Sequence, residues 1–234
     1  MEKKTSNWIK TFLINICKVI LCFVAMIFMN AVGQVCGSLL ALKNLEFLSI
    51  LAYFLAIGII LFIFKKQIKE ETAIFKKNWK KYVLWAIGIT IFLIIFNIFY
   101  NKLRLLVYGT ITTENNSGII ELINDYKNNP FSLVSILLVI TIVGGPIFEE
   151  TVYRFLPKGI LKNNLLFLII SSFYFAAIHV SKETYYPLDW IAYLIPGITY
   201  AIAYIKTKNI YTSMIAHSLN NVIGALLIIL ELYK

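Results

Sequence analysis

The feature that most constrains this chain is a series of long apolar runs separated by short polar clusters. Each run is rich in Ile, Leu, Phe and Val, and most are bounded by Lys or Asn. The runs cover approximately residues 12–42, 47–64, 82–100, 131–149, 164–180, 188–205 and 209–230. A helix that crosses the hydrocarbon core of a bilayer needs roughly 20 predominantly apolar residues. The pattern therefore predicts an all-α fold, a polytopic transmembrane helical bundle of about seven spans.

The composition excludes several other classes of protein. Of the 234 residues, 59% are hydrophobic and only 15% are charged, whereas soluble domains are about 25% charged. The net charge of +10 would suit a nucleic-acid binder, but the basic residues lie in short clusters between apolar runs, as they do in membrane proteins. We therefore expect a multi-pass protein in a lipid bilayer, with no nucleic-acid partner. The richness in Ile, Asn and Lys is compatible with an AT-rich bacterial genome and hence a bacterial cytoplasmic membrane.

The distribution of Lys and Arg predicts the orientation of the bundle. If the N-terminus is cytoplasmic, 15 basic residues lie in inner segments and 6 in outer segments, which agrees with the positive-inside rule. Residues 65–81 are then expected to form a basic cytoplasmic loop against anionic headgroups. Residues 101–130 are expected to form an extracytoplasmic loop with a short amphipathic helix around Gly118–Tyr126. The run at 12–42 is long enough for one tilted helix or for two.

Polar residues that are costly inside a membrane concentrate in the last 90 residues. Glu149 and Glu150 close the fourth span, and the chain's two histidines, His179 and His217, lie in the fifth and seventh spans. Ionisable groups at such positions are usually functional. The asymmetry predicts a packing region of three spans at 1–130 and a catalytic or binding core of four spans at 131–234. Asp189 opens the sixth span, where we expect an outer-interface residue.

Helical spacing groups these residues further. Three pairs are four residues apart and so share a helix face: Glu150 with Arg154, Phe175 with His179, and His217 with Asn221. The Glu150–Arg154 pair could hold Glu150 charged and oriented, which would leave Glu149 free for chemistry. A Gly-Gly-Pro sequence directly before the glutamates would loosen the helix where it lines protein or a water-filled cavity. Each polar residue has a simpler explanation, because buried polar side chains also join neighbouring helices.

Three short motifs carry a resemblance to a known family. Glu149-Glu150-Thr151-Val152-Tyr153-Arg154 fits EExxxR, Phe175-Ala176-Ala177-Ile178-His179 fits FxxxH, and His217-Ser218-Leu219-Asn220-Asn221 fits HxxxN. In order and separation they resemble the CPBP family of CAAX prenyl proteases and bacteriocin-processing enzymes, also called the Abi family. The match covers roughly residues 131–228. It departs from the family at Lys208-Asn209, in a turn where Thr-Gly is common.

The resemblance implies an intramembrane endopeptidase that cleaves a peptide or membrane protein, such as a bacteriocin or signalling peptide. It implies that Glu149 activates the attacking water and that His179 orients this water. Glu150 and Arg154 would support the first motif. His217 and Asn221 would stabilise the oxyanion, as imidazole and carboxamide donors can. On the predicted topology, cleavage would occur near the cytoplasmic leaflet.

The need for a metal stays open at this stage. Glu149, His179 and His217 form a ligand set that Zn²⁺ accepts, which would make the chain a metalloprotease. The histidines, however, come from separate spans and lack the HExxH pairing on one helix, which favours a mechanism that requires no cofactor.

Two other functions are compatible with the same residues. A non-catalytic bacteriocin-immunity or scaffold protein could retain the motifs while binding a toxin or a membrane sensor such as a histidine kinase. A small transporter, or a protein with a transporter partner, is the other alternative. A transporter fold is often built from internal repeats, and we find none here.

Overall fold

The computed structural model describes residues 61–180 and 186–232, with scattered helical positions among residues 13–59. Six helices follow one another along the two continuous ranges: α1 (Lys65–Tyr108), α2 (Glu114–Tyr126), α3 (Pro130–Ile160), α4 (Asn164–His179), α5 (Pro187–Thr207) and α6 (Ile210–Leu232). These ranges contain no strand. The predicted fold class, an all-α membrane bundle, is confirmed. The spans predicted at 12–42 and 47–64 lie outside the continuously described residues.

Four of these helices, α1, α3, α5 and α6, are long and apolar enough to cross a membrane. The fifth apolar helix, α4, has 16 residues, which corresponds to about 24 Å at 1.5 Å per residue. This length is less than the roughly 30 Å thickness of the hydrocarbon core. All five spans predicted from residue 82 onwards thus coincide with helices. The total of seven spans and the cytoplasmic N-terminus stay predictions.

The basic segment 65–81 is helical, so the expectation of a loop there was wrong. It forms the first part of α1, a helix of 44 residues whose only non-helical backbone lies at Asn78, with φ −128° and ψ 23°. Ile68, Thr72 and Phe75 are half-buried at helical spacing, whereas the lysines of the segment are exposed. Because lysine is itself a good helix former, this inward-facing stripe is enough to continue the helix beyond the membrane span.

The predicted loop at 101–130 is also mostly helical. The helix α1 continues to Tyr108 and ends at Gly109, whose positive φ of 71° allows its N–H to bond the carbonyl of Leu105. Glycine adopts this left-handed conformation without the steric penalty of a Cβ atom. The expected amphipathic helix is present as α2, and it begins four residues earlier than predicted, with Thr113 as its N-cap.

The helix α3 contains two π-helical segments, one before and one after the two glutamates. It is π-helical over Leu137–Gly144 and again over Thr151–Phe155, and the α-helical turn Gly145–Glu150 lies between them. At Gly144 a Cβ atom would collide with the carbonyl oxygen of Val139, so this winding requires glycine. Wide turns of this kind occur frequently at functional sites.

Two polar junctions tie α1 to α5 and α6 at opposite ends of the bundle, and we name them outer and inner after the predicted topology. At the outer junction, Arg104 bonds Asp189 with an Nε–Oδ1 distance of 2.9 Å. At the inner junction, Glu71 Oε2 accepts from the backbone N–H of Ile210 at 2.6 Å, and Asn209 Nδ2 donates to the backbone carbonyl of Glu71 at 2.8 Å. The residues of each junction belong to segments predicted on the same side of the membrane.

Asp189, which we expected at the outer interface, is part of a buried ion pair, and its position relative to the membrane stays a prediction. It is buried, and its carboxylate also accepts a hydrogen bond from the Tyr100 hydroxyl at 2.9 Å. The physical reason is the arginine at the end of α1, which supplies a compensating charge that the sequence does not pair with Asp189.

Candidate active site

The structure brings five of the six predicted site residues into one cluster inside the bundle. The helix α3 contributes Glu149, Glu150 and Arg154, the C-terminal end of α4 contributes His179, and α6 contributes His217. The polar side chains come from three helices that are far apart in sequence. The rest of each helix is largely apolar, so these five residues form a polar cluster in an apolar interior.

Glu150 is the buried centre of an ion-pair network. Its Oε1 lies 3.0 Å from His217 Nδ1 and 3.3 Å from Arg154 Nη1, and the side chains of Glu150 and Arg154 are 0% exposed. A buried charge needs such partners to offset its desolvation. The Glu150–Arg154 contact expected from the spacing of four residues is present, and Glu150 also orients the imidazole of His217.

Glu149 lies in a different environment. Its side chain is 21% exposed, and its Oε2 lies 3.5 Å from His179 Nε2 and 4.0 Å from His217 Nε2. It has no arginine or lysine partner among the described residues. The two adjacent glutamates are thus divided as their spacing predicts, because Glu150 is held by the network and Glu149 faces the two imidazoles.

In His179 and His217, the contact made by Nδ1 determines whether Nε2 can donate or accept a hydrogen bond. His179 Nδ1 lies 2.7 Å from the carbonyl oxygen of Phe175, and because a carbonyl only accepts, this nitrogen carries the hydrogen. In the neutral ring, His179 Nε2 is then an acceptor that faces Glu149 Oε2, another acceptor. A water molecule that donates one hydrogen to each would satisfy both groups.

His217 is held in a related way. Its Nδ1 is committed to Glu150 Oε1, so its Nε2 can donate to an oxyanion only when both ring nitrogens carry hydrogen. The two carboxylates of Glu149 and Glu150 flank the ring on these two sides.

Asn221, the sixth predicted residue, lies one helical turn beyond His217. Its Nδ2 donates a hydrogen bond of 2.8 Å to the carbonyl of Thr141, in the π-helical part of α3. In a π turn, that carbonyl would bond the N–H of the fifth residue onward, which is Pro146 and has no N–H. Asn221 therefore supplies the donor that proline lacks. Its second amide hydrogen stays available for other chemistry.

An aromatic frame around the cluster includes residues that sequence reasoning missed. The ring of Phe175 lies 4.3 Å from Arg154 Cζ and 4.5 Å from the His179 ring, which gives the aromatic residue of the FxxxH motif a physical role. The ring of Tyr200 stacks on His217 at 4.9 Å, and that of Tyr193 stacks on His179 at 5.0 Å. The sequence carries one signal for them: Tyr193 and Tyr200 are seven residues apart, which places both on one face of α5.

Gly197, on the same face of α5, permits the close approach that completes the frame. A Cβ atom there would lie 3.0 Å from the backbone oxygen of Ser172 in α4. The carbonyl of Gly197 accepts a hydrogen bond of 3.3 Å from Arg154 Nη2. The glycine therefore brings α4 and α5 together and gives the buried arginine a backbone partner.

The cluster retains buried polar atoms without hydrogen-bond partners. Within the described part of the chain these atoms are Glu149 Oε2, Glu150 Oε2, Arg154 Nε and Nη1, and the hydroxyl of Tyr200. Such groups are rare in folded proteins because each one costs the loss of its interactions with water. Their concentration around Glu149 gives the site capacity to bind polar groups of a substrate or water.

The same donor set is chemically suited to a metal ion. Glu149 Oε2 and the Nε2 atoms of His179 and His217 are ligand types that Zn²⁺ accepts, and each Nδ1 is held by an oxygen partner as in known zinc sites. A zinc ion held by these residues would supply an activated water. Across residues 61–180 and 186–232, however, no three His, Cys, Asp or Glu side chains form a preformed metal cluster.

Fold and site together define a helical membrane protein with a carboxylate–imidazole cluster inside its bundle. Residues 131–223 match the family described as type II CAAX prenyl endopeptidase Rce1-like. This segment contains all three motifs, and the resemblance of the chain to the CPBP family is confirmed.

Two curated relatives extend the comparison. A protein of Bacillus subtilis named "Putative membrane peptidase YdiL" is 25% identical over 177 residues, which cover 72% of this chain and 66% of the relative. An "Uncharacterized protein" of Mycoplasma capricolum is 27% identical over 122 residues, which cover 52% of this chain and 36% of the relative. The chain thus spans less than two thirds of the length of either relative. No solved structure is significantly similar to it.

Proposed function

We propose that the chain is an intramembrane endopeptidase in which Glu149 activates a water molecule. The observation that carries this proposal is the convergence of His179 Nε2 and His217 Nε2 on Glu149 Oε2, a buried atom without a hydrogen-bond donor. The match to the CAAX prenyl endopeptidase-like family and the similarity to YdiL support the same class of reaction.

In the proposed reaction, a water molecule is held between Glu149 and His179. Glu149 removes a proton as the water oxygen bonds to the carbonyl carbon of the scissile peptide, and the carbonyl π electrons move to its oxygen. His217 Nε2–H and the second amide hydrogen of Asn221 stabilise this oxyanion. The C–N bond then breaks, and Glu149 delivers the proton to the leaving amine. General base catalysis of this kind contributes about 10²- to 10⁴-fold to a rate.

The proposed water is activated without a metal ion. Glu149 supplies the base, and the network around Glu150 supplies the charge that steadies His217. Elemental analysis of the purified protein, combined with activity after chelation, tests this part of the proposal. Loss of activity on chelation with recovery on Zn²⁺ addition would replace it with a zinc mechanism.

The proposed substrate is a peptide or membrane protein that enters the bundle. The predicted topology would place cleavage near the cytoplasmic leaflet, whereas the positions along α5 favour a deeper site. Tyr193, which stacks on His179, lies about 6 Å along the helix from Asp189, and Tyr200, which stacks on His217, lies about 17 Å from it. The helix ends at Thr207, about 27 Å from Asp189. We therefore expect cleavage nearer the middle of the bilayer.

The test compares matched glutamate variants in lipid vesicles. Substrates are identified first, by comparing membrane and secreted peptides of a deletion strain with those of the wild type. Glu149→Gln is expected to lower the rate of cleavage about a thousandfold, whereas Glu121→Gln, at an exposed position on α2, is expected to keep the wild-type rate. Full cleavage by the Glu149 variant would overturn the proposal. A cellular phenotype that persists in this variant would favour the immunity or scaffold alternative.

A further inference from the structure

Tyr193 connects the candidate active site to the segment between α1 and α2. One face of its ring stacks on the His179 ring, with a centroid distance of 5.0 Å and an angle of 18° between the planes. Its hydroxyl lies 2.8 Å from Thr113 Oγ1. The same side chain therefore contacts a group proposed for catalysis and a residue 80 positions earlier in the chain.

The segment that Tyr193 contacts is itself fixed at two points. Arg104 Nη1 donates a hydrogen bond of 2.9 Å to the carbonyl of Thr110. Three residues later, Thr113 is buried and its Oγ1 accepts from the backbone N–H of Asn116, which makes it the N-cap of α2. The hydroxyl of Thr113 therefore has a defined position before it meets Tyr193.

His179 needs a defined ring orientation because only one rotation directs its Nε2 towards Glu149. The Nδ1 bond to Phe175 restrains the ring at one edge. The rings of Phe175, at 4.5 Å, and Tyr193, at 5.0 Å, also pack against it. The Tyr193 ring can do this only while its own position is fixed, and the hydrogen bond to Thr113 contributes to that restraint.

We propose that Tyr193 is a positioning residue for His179, and that its hydrogen bond to Thr113 couples the segment before α2 to the orientation of the His179 ring. The catalytic consequence rests on the proposed endopeptidase function, whereas the orientation itself does not.

A matched pair at the other end of the bundle provides the control. Thr72 Oγ1 lies 2.7 Å from the Tyr211 hydroxyl. A threonine and a tyrosine therefore form the same kind of contact near the inner junction. Neither of these residues contacts a histidine ring among the described contacts. Tyr211→Phe and Thr72→Val therefore remove an equivalent hydrogen bond without changing the surroundings of His179.

The first measurement is ¹⁵N NMR of the imidazole nitrogens in the full chain in lipid. The chain has only two histidines, so a His179→Gln variant assigns both sets of signals. Tyr193→Phe and Thr113→Val are expected to shift the His179 signals, Thr113→Ser to restore them, and the two control variants to leave them unchanged. This measurement requires no enzymatic activity, so it separates failure of this proposal from failure of the proposed function.

The second measurement is the kinetics of peptide cleavage. Tyr193→Phe and Thr113→Val are each expected to lower kcat about three- to tenfold, the size expected for one hydrogen bond, with KM changed less than twofold. The double variant is expected to lose no more than either single variant, because both remove the same bond. The control variants are expected to keep the wild-type kcat.

Three results would overturn the proposal. The first is unchanged His179 signals in both Tyr193→Phe and Thr113→Val. The second is an equal shift in Tyr211→Phe, which would indicate a general loosening of the bundle. The third is additive kinetic losses in the double variant. If Tyr193→Phe fails to fold, Thr113→Val with its rescue by Thr113→Ser decides the outcome.

Discussion

Two buried arginines in this protein have different surroundings. Arg104, at the outer junction, uses Nε and Nη2 to bond Asp189 and uses Nη1 to bond the Thr110 carbonyl. Arg154, in the candidate active site, donates from Nη2 to Gly197 and forms an ion pair through Nη1 with Glu150, whereas its Nε has no hydrogen-bond partner. Both side chains are no more than 1% exposed, so burial does not explain the difference.

The difference indicates different roles for the two regions. A buried ion pair whose donors and acceptors are all matched holds helices together and has no capacity for another ligand. The cluster leaves Glu149 Oε2, Glu150 Oε2 and Arg154 Nε without hydrogen-bond partners, at a cost in stability. Such a cost is common at functional sites. We therefore expect changes at the outer junction to affect stability and changes at the site to affect activity.

The largest effect is expected for Glu149→Gln. Loss of the general base should lower kcat by about a thousandfold, while the thermal midpoint stays close to that of the wild type, because Glu149 is not part of the Glu150–Arg154 ion pair. Cleavage assays in vesicles and thermal unfolding in detergent measure the two quantities. Full activity in this variant would contradict the proposed role of the site. A large fall in its thermal midpoint would mean that the site, like the outer junction, serves stability.

The next effect is expected at the outer junction. Arg104→Met or Asp189→Leu alone leaves one buried charge without a partner and should lower the free energy of unfolding by about 3–5 kcal/mol. The double variant should recover most of this loss, because two apolar groups need no partner. Denaturant unfolding measures these values. If the single variants reduce kcat of the folded protein as strongly as Glu149→Gln does, the outer junction belongs functionally to the site.

A smaller effect is expected for Asn221→Ala. The variant removes the proposed oxyanion donor, and it leaves unpaired the Thr141 carbonyl that Asn221 bonds. We expect a loss in kcat of about a hundredfold, near the lower limit for a donor to an oxyanion. His217→Gln serves as the comparison in the same cleavage assay. An Asn221→Ala variant with unchanged kcat would make Asn221 a structural residue like those at the outer junction.

The smallest effect is expected for metal removal. With Glu149 as base and the His217 ring held by Glu150, prolonged chelation should change kcat less than twofold. Activity measured before and after chelation, with the zinc content of both samples, tests this expectation. A large loss that Zn²⁺ restores would mean that the unmatched atoms of the site are metal ligands.

Much of the candidate site could be predicted from the sequence because charge is scarce in the apolar runs. Glu149, Glu150, His179 and His217 are conspicuous there, and the spacing of four residues indicated the Glu150–Arg154 contact. Tyr193 and Tyr200 could not be identified in the same way, because aromatic residues are common in membrane helices. Their roles depend on which face of α5 meets α4 and α6, and that face is set by packing.

The sequence by itself determined where most helices lie and which residue types carry chemistry. Apolar length is a local property, and the cost of burying an ionisable group is a property of that group. Only the tertiary structure decided that residues 65–81 continue α1, that Asp189 is buried against Arg104, and that Asn221 bonds Thr141. Each of these depends on a partner brought from a distant segment, and hydrogen bonds and ion pairs require contact within a few ångströms that a linear pattern does not encode.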